Sequence, residues 1–433
     1  MAIAGAAACN STPEATLTLS VGDEADALSR APAPTKLVVD SIDVDSGATT
    51  NLSSVDLPAT DIDLGDQNTS VAVRIRVNGV DGTGRVLVTG TSVPVQLGAL
   101  EGTSLPLFVQ RTSEFARMPS PLSDAREAPL LVNVSDRYVV VAGGSTPAGN
   151  TASQIYDLAS LSPFGSPPAL PRAPRSLAVY GSTLLVVDDA GASSVDLSDA
   201  TAQTPTIDPP SGGSFAEVAG GLTVAAPDKS LYIVGATRPS NPTSRILKVT
   251  TEGTLLFVSL TTSRRGAAAT WVEGRGLVVI GGNETGAGVE VLAPGATATT
   301  SLPYPPDATV GAGAATLDGA HVLVGGGLDA AGQPAPTRVV DLGCAAATCA
   351  AATWDLANPP VTLVAAQAFE LAADAALLVG DDAAGLSHAF RVTQQGATEV
   401  PFKVARRGAR GIRVNPPAIT FVGGAGVVES FTP

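Results

Sequence analysis

From residue 126 onward the chain repeats itself, and the period of that repeat is what most restricts how it can fold. Seven short apolar runs, at 138–142, 184–187, 231–234, 277–280, 321–324, 376–379 and 419–422, each end in a small or acidic residue. Taking Gly143, Asp188, Gly235, Gly281, Gly325, Gly380 and Gly423 as those ends, the spacings are 45, 47, 46, 44, 55 and 43. A unit of this size cannot bury both of its faces alone, so each must pack against its neighbours. The one long interval contains Cys344 and Cys349, which places that pair in an insertion.

Within a unit the marked run is preceded by one β-patterned stretch, as at 176–180, 267–272 and 312–317, and followed by another, as at 154–158, 245–249 and 338–342. A weaker fourth stretch, such as 254–260 or 398–402, leads into the next unit. Four short strands per unit of about 45 residues make one blade of a β-propeller. The 46 Gly and 33 Pro, residues that interrupt helices, fall largely at strand ends and in connections, and Ala, Val and Leu carry most of the 44% hydrophobic fraction. The last unit, 407–433, has room for three strands, so the ring needs a strand from elsewhere. The stretch 105–111 is the expected donor.

Residues 15–104 read differently. At 71–78, Val71, Val73, Ile75 and Val77 alternate with Ala72, Arg74, Arg76 and Asn78, the period of two of a strand with one wet face. The break at 78–84 is a hairpin signal, and several such runs predict an Ig-like β-sandwich. The predicted fold class is therefore all-β: a β-sandwich over 15–104, then a seven-bladed propeller over 105–433, with six blades as the alternative count. Segment 1–14 is expected to be a separate signal-like piece.

The propeller pattern resembles the Kelch family over roughly residues 105–433. The resemblance rests on the apolar run before Gly-Gly in units one, four, five and seven, on Tyr156-Asp157, on Thr353-Trp354 and on Leu170-Pro171-Arg172. Units two, three and six lack the double glycine. Kelch-type propellers include copper radical oxidases, which would need two His, a Tyr and a Cys-linked Tyr; His321 and His388 have no matched Tyr or Cys partner, and neither a metal nor a cofactor is expected. The small residues before Cys9 resemble the tail of a bacterial lipoprotein signal, which implies lipidation of Cys9. An Ala-rich N-terminus is the alternative. Cys344 and Cys349 then form an expected local disulfide, of a kind that persists outside the reducing cytosol.

With 25 basic against 40 acidic residues the formal charge is −15, which argues against a nucleic-acid partner. The distinctive cations are Arg126, Arg172, Arg175, Arg264, Arg265, Arg406 and Arg407, at the connections into first strands. Because strands alternate in direction, these share one face, where guanidinium groups could grip carboxylates, sulfates or sugar acids. The competing reading is that they bond neighbouring carbonyls and lock the ring. The expected function is a non-enzymatic binding or scaffold protein, extracytoplasmic, at the outer membrane or cell surface, with a protein or glycan partner and a lipid anchor in the membrane. Two alternatives are a carbohydrate-active enzyme using Asp188, Asp189, Asp381 and Asp382 at the channel, and a structural subunit of a surface assembly.

Overall fold

The computed structural model describes residues 16–59, 62–64, 71–100, 104–146, 151–165, 167, 169–199, 203–414 and 416–433. The expected signal-like segment and Cys9 lie outside the described residues. Among the described residues there are seven four-stranded antiparallel sheets. Their first strands are Leu130–Val134, Ser176–Tyr180, Leu222–Ala225, Ala268–Val272, Gly313–Thr316, Ala365–Ala372 and Arg410–Ile412. Their second strands include Tyr138–Ala142, Gly276–Ile280 and Ile419–Val422, the apolar runs that defined the repeat, and apart from half-buried Tyr138 these are buried along their length.

Burial on both faces explains why these runs are continuous Val, Leu and Ile rather than alternating. Each sheet is sandwiched between two others, and one apolar cluster fills every gap between consecutive sheets. Leu184, Val186 and Val195 of the second sheet meet Val132, Val140 and Ile155 of the first. The series continues through the fourth and fifth sheets to Leu377 and Val379 of the sixth, which meet Ile419, Phe421 and Phe431 of the seventh. Finally Val414, Val422 and Val428 of the seventh sheet meet Val139, Val141 and Tyr156 of the first. The series thus closes on itself, which is the arrangement of a β-propeller. At ~1.5–3 kcal/mol for each fully buried aliphatic side chain, these clusters dominate the cohesion of the ring.

The closing strand is not the one the sequence suggested. The outer strand of the seventh sheet is Glu114–Arg117, paired antiparallel with Glu429–Thr432 in the register Phe115 to Phe431. The stretch 105–111 is spent elsewhere. Ser104–Phe108 runs parallel to Thr16–Ser20, and Gln110–Arg111 pairs with Val86–Thr91. Leu105 and Leu107 are buried in the core of the N-terminal unit, and that burial is what claims them.

The N-terminal unit has two sheets around one core. Thr16–Ser20 lies between Ile62–Asp63 and Ser104–Phe108. The other sheet runs Thr49–Asp56, Lys36–Asp43, Ala72–Val80, Val86–Thr91, Gln110–Arg111, with Val95–Gln96 beside Ala72–Val80. Ala72–Val80 alternates half-buried and buried, so Val73, Ile75 and Val77 point inward as the period of two requires. Cys344 and Cys349 are disulfide-bonded, between the third and fourth strands of the fifth sheet. The bridge anchors the insertion, since the Cys349 amide donates to the Pro303 carbonyl at 2.8 Å.

Candidate functional site

In four-stranded antiparallel sheets that follow one another around a ring, the loops joining strands one to two and three to four emerge at one end. The other end carries the two-to-three loops and the connections between sheets. The N-terminal unit occupies the first end. Val93 packs in one cluster with Leu158, just past a third strand, and Val414, just past a first strand. Arg74 approaches Asp136, in the first one-to-two loop, at 3.4 Å. The arginine-bearing end therefore faces away from the N-terminal unit.

The arginines divide into two groups. Arg126, Arg264 and Arg406 each stand four residues before a first strand and are buried, with exposures of 2%, 0% and 1%. Each donates Nη1 to the carbonyl of the glycine seventeen residues on: Gly143 at 3.0 Å, Gly281 at 2.8 Å and Gly423 at 3.1 Å. Arg264 also donates to Gly288, Ala287 and the Glu290 carboxylate, and Arg406 to Val427 and Glu429. For these three the ligand-gripping expectation is corrected: Arg264 and Arg406 spend their donors on backbone carbonyls and a buried carboxylate, and Arg126, whose Nη1 holds the Gly143 carbonyl while Nη2 forms only an ion pair with Asp124, is buried too, so they lock the two-to-three loops.

The lock is a repeated assembly. Glu290 and Glu429 sit on third strands opposite Val279 and Phe421, each two residues before the locking glycine. Gln154 takes that place in the first sheet, opposite Val141. Each side chain also accepts from the amide two residues before its arginine: Thr262 to Glu290, Val404 to Glu429 and Asp124 to Gln154. With a neutral Gln there, Arg126 takes its counter-charge from Asp124 at 3.0 Å. The fifth sheet exchanges the sides: Arg338 occupies the third-strand place, opposite Val324, and pairs with Asp307 on the connection.

The second glycine of each pair has its own reason. At Gly282, with φ +71°, an added Cβ would lie 2.5 Å from the Arg265 carbonyl; at Gly424, with φ +73°, it would lie 2.1 Å from the Arg407 amide. The loop passes directly over the residue after the locking arginine, and neither the space nor the left-handed backbone suits a side chain.

The two fully buried carboxylates differ in charge state tendency. Burial pushes Glu290 up, but hydrogen bonds from Thr299, Arg264 and Thr261, with the Arg264 charge, outweigh it and hold the group below the ordinary glutamate value. Burial also pushes Glu429 up, and there Arg406 and the Val404 amide do not fully compensate, so it stays raised. Ionised Glu290 thus stabilises the fold above the ordinary value of ~4.3, a contribution lost as pH falls through its lower folded value. Ionised Glu429 weighs against the fold at neutral pH and is relieved as pH falls through its raised value. At pH 7, Glu290→Gln is expected to cost about 2–3 kcal/mol and Glu429→Gln less than half of that, measured by urea unfolding. Equal costs would contradict the asymmetry.

The remaining arginines stay at the surface. Arg172 approaches Asp188 at 3.4 Å, and half-exposed Arg175 pairs with Asp189 at 2.8 Å. Arg407 is exposed and donates one Nη1–H to the Ala384 carbonyl. Arg265 is exposed and, among the described residues, its guanidinium makes no hydrogen bond or ion pair. The acidic candidates are all engaged. Asp188 accepts from the Ala190 and Gly191 amides, Asp382 from those of Ala384 and Leu386, and Asp381 from Ser387, the Gly408 amide and Arg410. His321 bonds to Asp318, and His388 lies beside Glu399 and Asp382. Among the described residues, no group of three His, Cys, Asp or Glu side chains is placed to hold a metal ion.

The sequence singled out the locking arginines without their partners. The signal that finds the locks is arithmetic: an Arg seventeen residues before a Gly-Gly pair, in units one, four and seven. Glu290, Glu429 and Gln154 stand 26, 23 and 28 residues after their arginine or the residue aligned with it, because two-to-three loops vary in length. No fixed spacing marks them.

No protein-family model and no curated protein matches this chain. Among solved structures it is similar to YCF48 bound to D1 peptide, at 12% identity, with 74% of this chain and 94% of that one covered and a TM-score of 0.46. It is also similar to a streptogramin B lyase, at 13% identity, with 73% of this chain and 96% of that one covered and a TM-score of 0.39.

Proposed function

We propose that the chain is a non-enzymatic binding or scaffold protein of the bacterial cell surface. In this reading the sheets form a seven-bladed, Kelch-like propeller and the N-terminal unit is a β-sandwich. The chain is exported, anchored in the outer membrane by a lipid on Cys9, and it meets a protein or glycan through the propeller end that faces away from the sandwich. The observation that carries the reading is the pairing of neighbours at that end. Arg264 and Arg406 are buried locks, and they hold the next residues, Arg265 and Arg407, outward on a rigid connection.

Guanidinium groups fixed in this way, on a chain of net charge −15, favour a ligand with carboxylates or sulfates on a neutral scaffold, since a dense polyanion would be repelled by the rest of the surface. The disulfide supports an oxidising compartment. The double variant Arg265→Ala with Arg407→Ala is expected to weaken binding to an array of sulfated and uronic-acid glycans at least tenfold while leaving the melting temperature unchanged. Full retention of binding, or hydrolysis of the arrayed glycans by the unaltered chain, would overturn the proposal.

A further inference from the structure

A second site lies on the side of the ring, away from the arginine-bearing end. A cavity of about 420 Å³ opens between the outer edges of the sixth and seventh sheets. One wall is the sixth sheet's outer strand Gly396–Glu399 with Arg391 and Thr393 of its third strand. The other is the closing strand, with Ser113, Glu114 and Phe115, and the link 400–403 supplies the floor. The volume lies within the ~300–1,000 Å³ typical of small-molecule sites.

Of the cations along this cavity, one has no anionic partner among the described residues. Glu114 is held by Arg30 at 2.8 Å and by Lys403 at 3.4 Å. Those two cations keep its carboxylate below the ordinary value against the pull of burial. Glu399 lies 3.3 Å from His388. Arg391 is exposed and, among the described residues, its guanidinium makes no hydrogen bond or ion pair. Thr393, Thr398 and Ser113 line the same cavity, and the Thr393 hydroxyl already donates to the Gly396 carbonyl at 3.4 Å and accepts from the Gln395 amide at 3.3 Å. The floor is rigid, because Phe115 is 1% exposed and its ring meets those of Phe402, Phe421 and Phe431 at 4.3–5.3 Å.

One unpaired guanidinium, walls carrying Thr398 and Ser113, and a firm floor suit a small hydroxylated carboxylate. We infer that this lateral cavity binds a monosaccharide-sized sugar acid, its carboxylate on Arg391 and its hydroxyls toward Thr398 and Ser113. Such a ligand would bridge the sixth sheet and the closing strand, so its binding would stabilise the closed ring.

The test uses the full chain with D-glucuronate as probe, and D-glucose and acetate at matched ionic strength as controls, read by calorimetric titration and melting temperature. Glucuronate is expected to bind and to raise the melting temperature, and neither control to do so. Arg391→Gln is expected to weaken glucuronate binding about tenfold or more without changing the melting temperature of the free protein, since Arg391 supports no other group. Thr398→Val is expected to weaken it less. Arg265→Ala with Arg407→Ala is expected to leave it unchanged, which separates this site from the proposed end-face site. Equal response to acetate, unchanged affinity in Arg391→Gln, or loss of binding in the Arg265/Arg407 variant would each overturn the inference.

Discussion

Replacing Arg264 with Met is expected to cost about 3–5 kcal/mol of unfolding free energy, the range for breaking a buried ion pair from one side. Arg264 and Glu290 both have 0% side-chain exposure and lie 2.9 Å apart. Met fills much of the volume, so the loss is electrostatic rather than a cavity. It leaves the Glu290 carboxylate in the interior without its cation and the Gly281 and Ala287 carbonyls without the Arg264 donor, while the Gly288 carbonyl keeps only the Gly281 amide. Glu290 keeps the Thr261 and Thr262 amides and the Thr299 hydroxyl, which is why the sheet is expected to loosen at its two-to-three loop rather than come apart. Urea unfolding measures the cost, and hydrogen exchange should show faster exchange confined to 281–289. A change below 1 kcal/mol would mean the lock is ornamental.

Phe115→Ala is the second large effect expected, again about 3–5 kcal/mol, the usual cost of removing a buried aromatic ring. The closing strand is four residues long, and Phe115 is the side chain that anchors it among Phe402, Phe421 and Phe431. Main-chain pairing alone would leave an edge free to fray. The N-terminal unit adds a clamp: Glu24 accepts from the Arg117 amide at 3.0 Å and from its guanidinium at 3.0 Å, and Arg30 grips Glu114. A chain lacking residues 1–34 is therefore expected to keep its ring but melt earlier, and Phe115→Ala in that background to be worse than the sum of the two changes. Additive losses would show that clamp and anchor act separately.

The repeat was legible because burial on both faces leaves the second strands as unbroken Val, Leu and Ile runs, and because the loops after them need glycine wherever they cross a lock. Outer strands carry little of that signal. Gln203–Ile207 is almost wholly exposed, and Glu114–Arg117 is short and mixed in polarity. Ser104–Phe108, with its exposed and buried residues alternating, resembles an outer strand better than the true one does. Its parallel partner Thr16–Ser20 is more than eighty residues away in the chain, and no local pattern announces such a pairing. The arginines were visible as a set but not as two groups. The division depends on which residue of Arg264-Arg265 or Arg406-Arg407 turns inward, and the glycine seventeen residues later decides that.

Those neighbouring pairs also give the most direct test of the account. Melting temperature and sulfated-glycan binding measured side by side for Arg264→Ala and Arg265→Ala should move in opposite ways. The first is expected to lower the melting temperature by several degrees, and the second to leave it unchanged while weakening binding. If both variants lost stability equally, or if Arg265→Ala bound as tightly as the unaltered chain, the division of the arginines into locks and a ligand-facing group would be wrong.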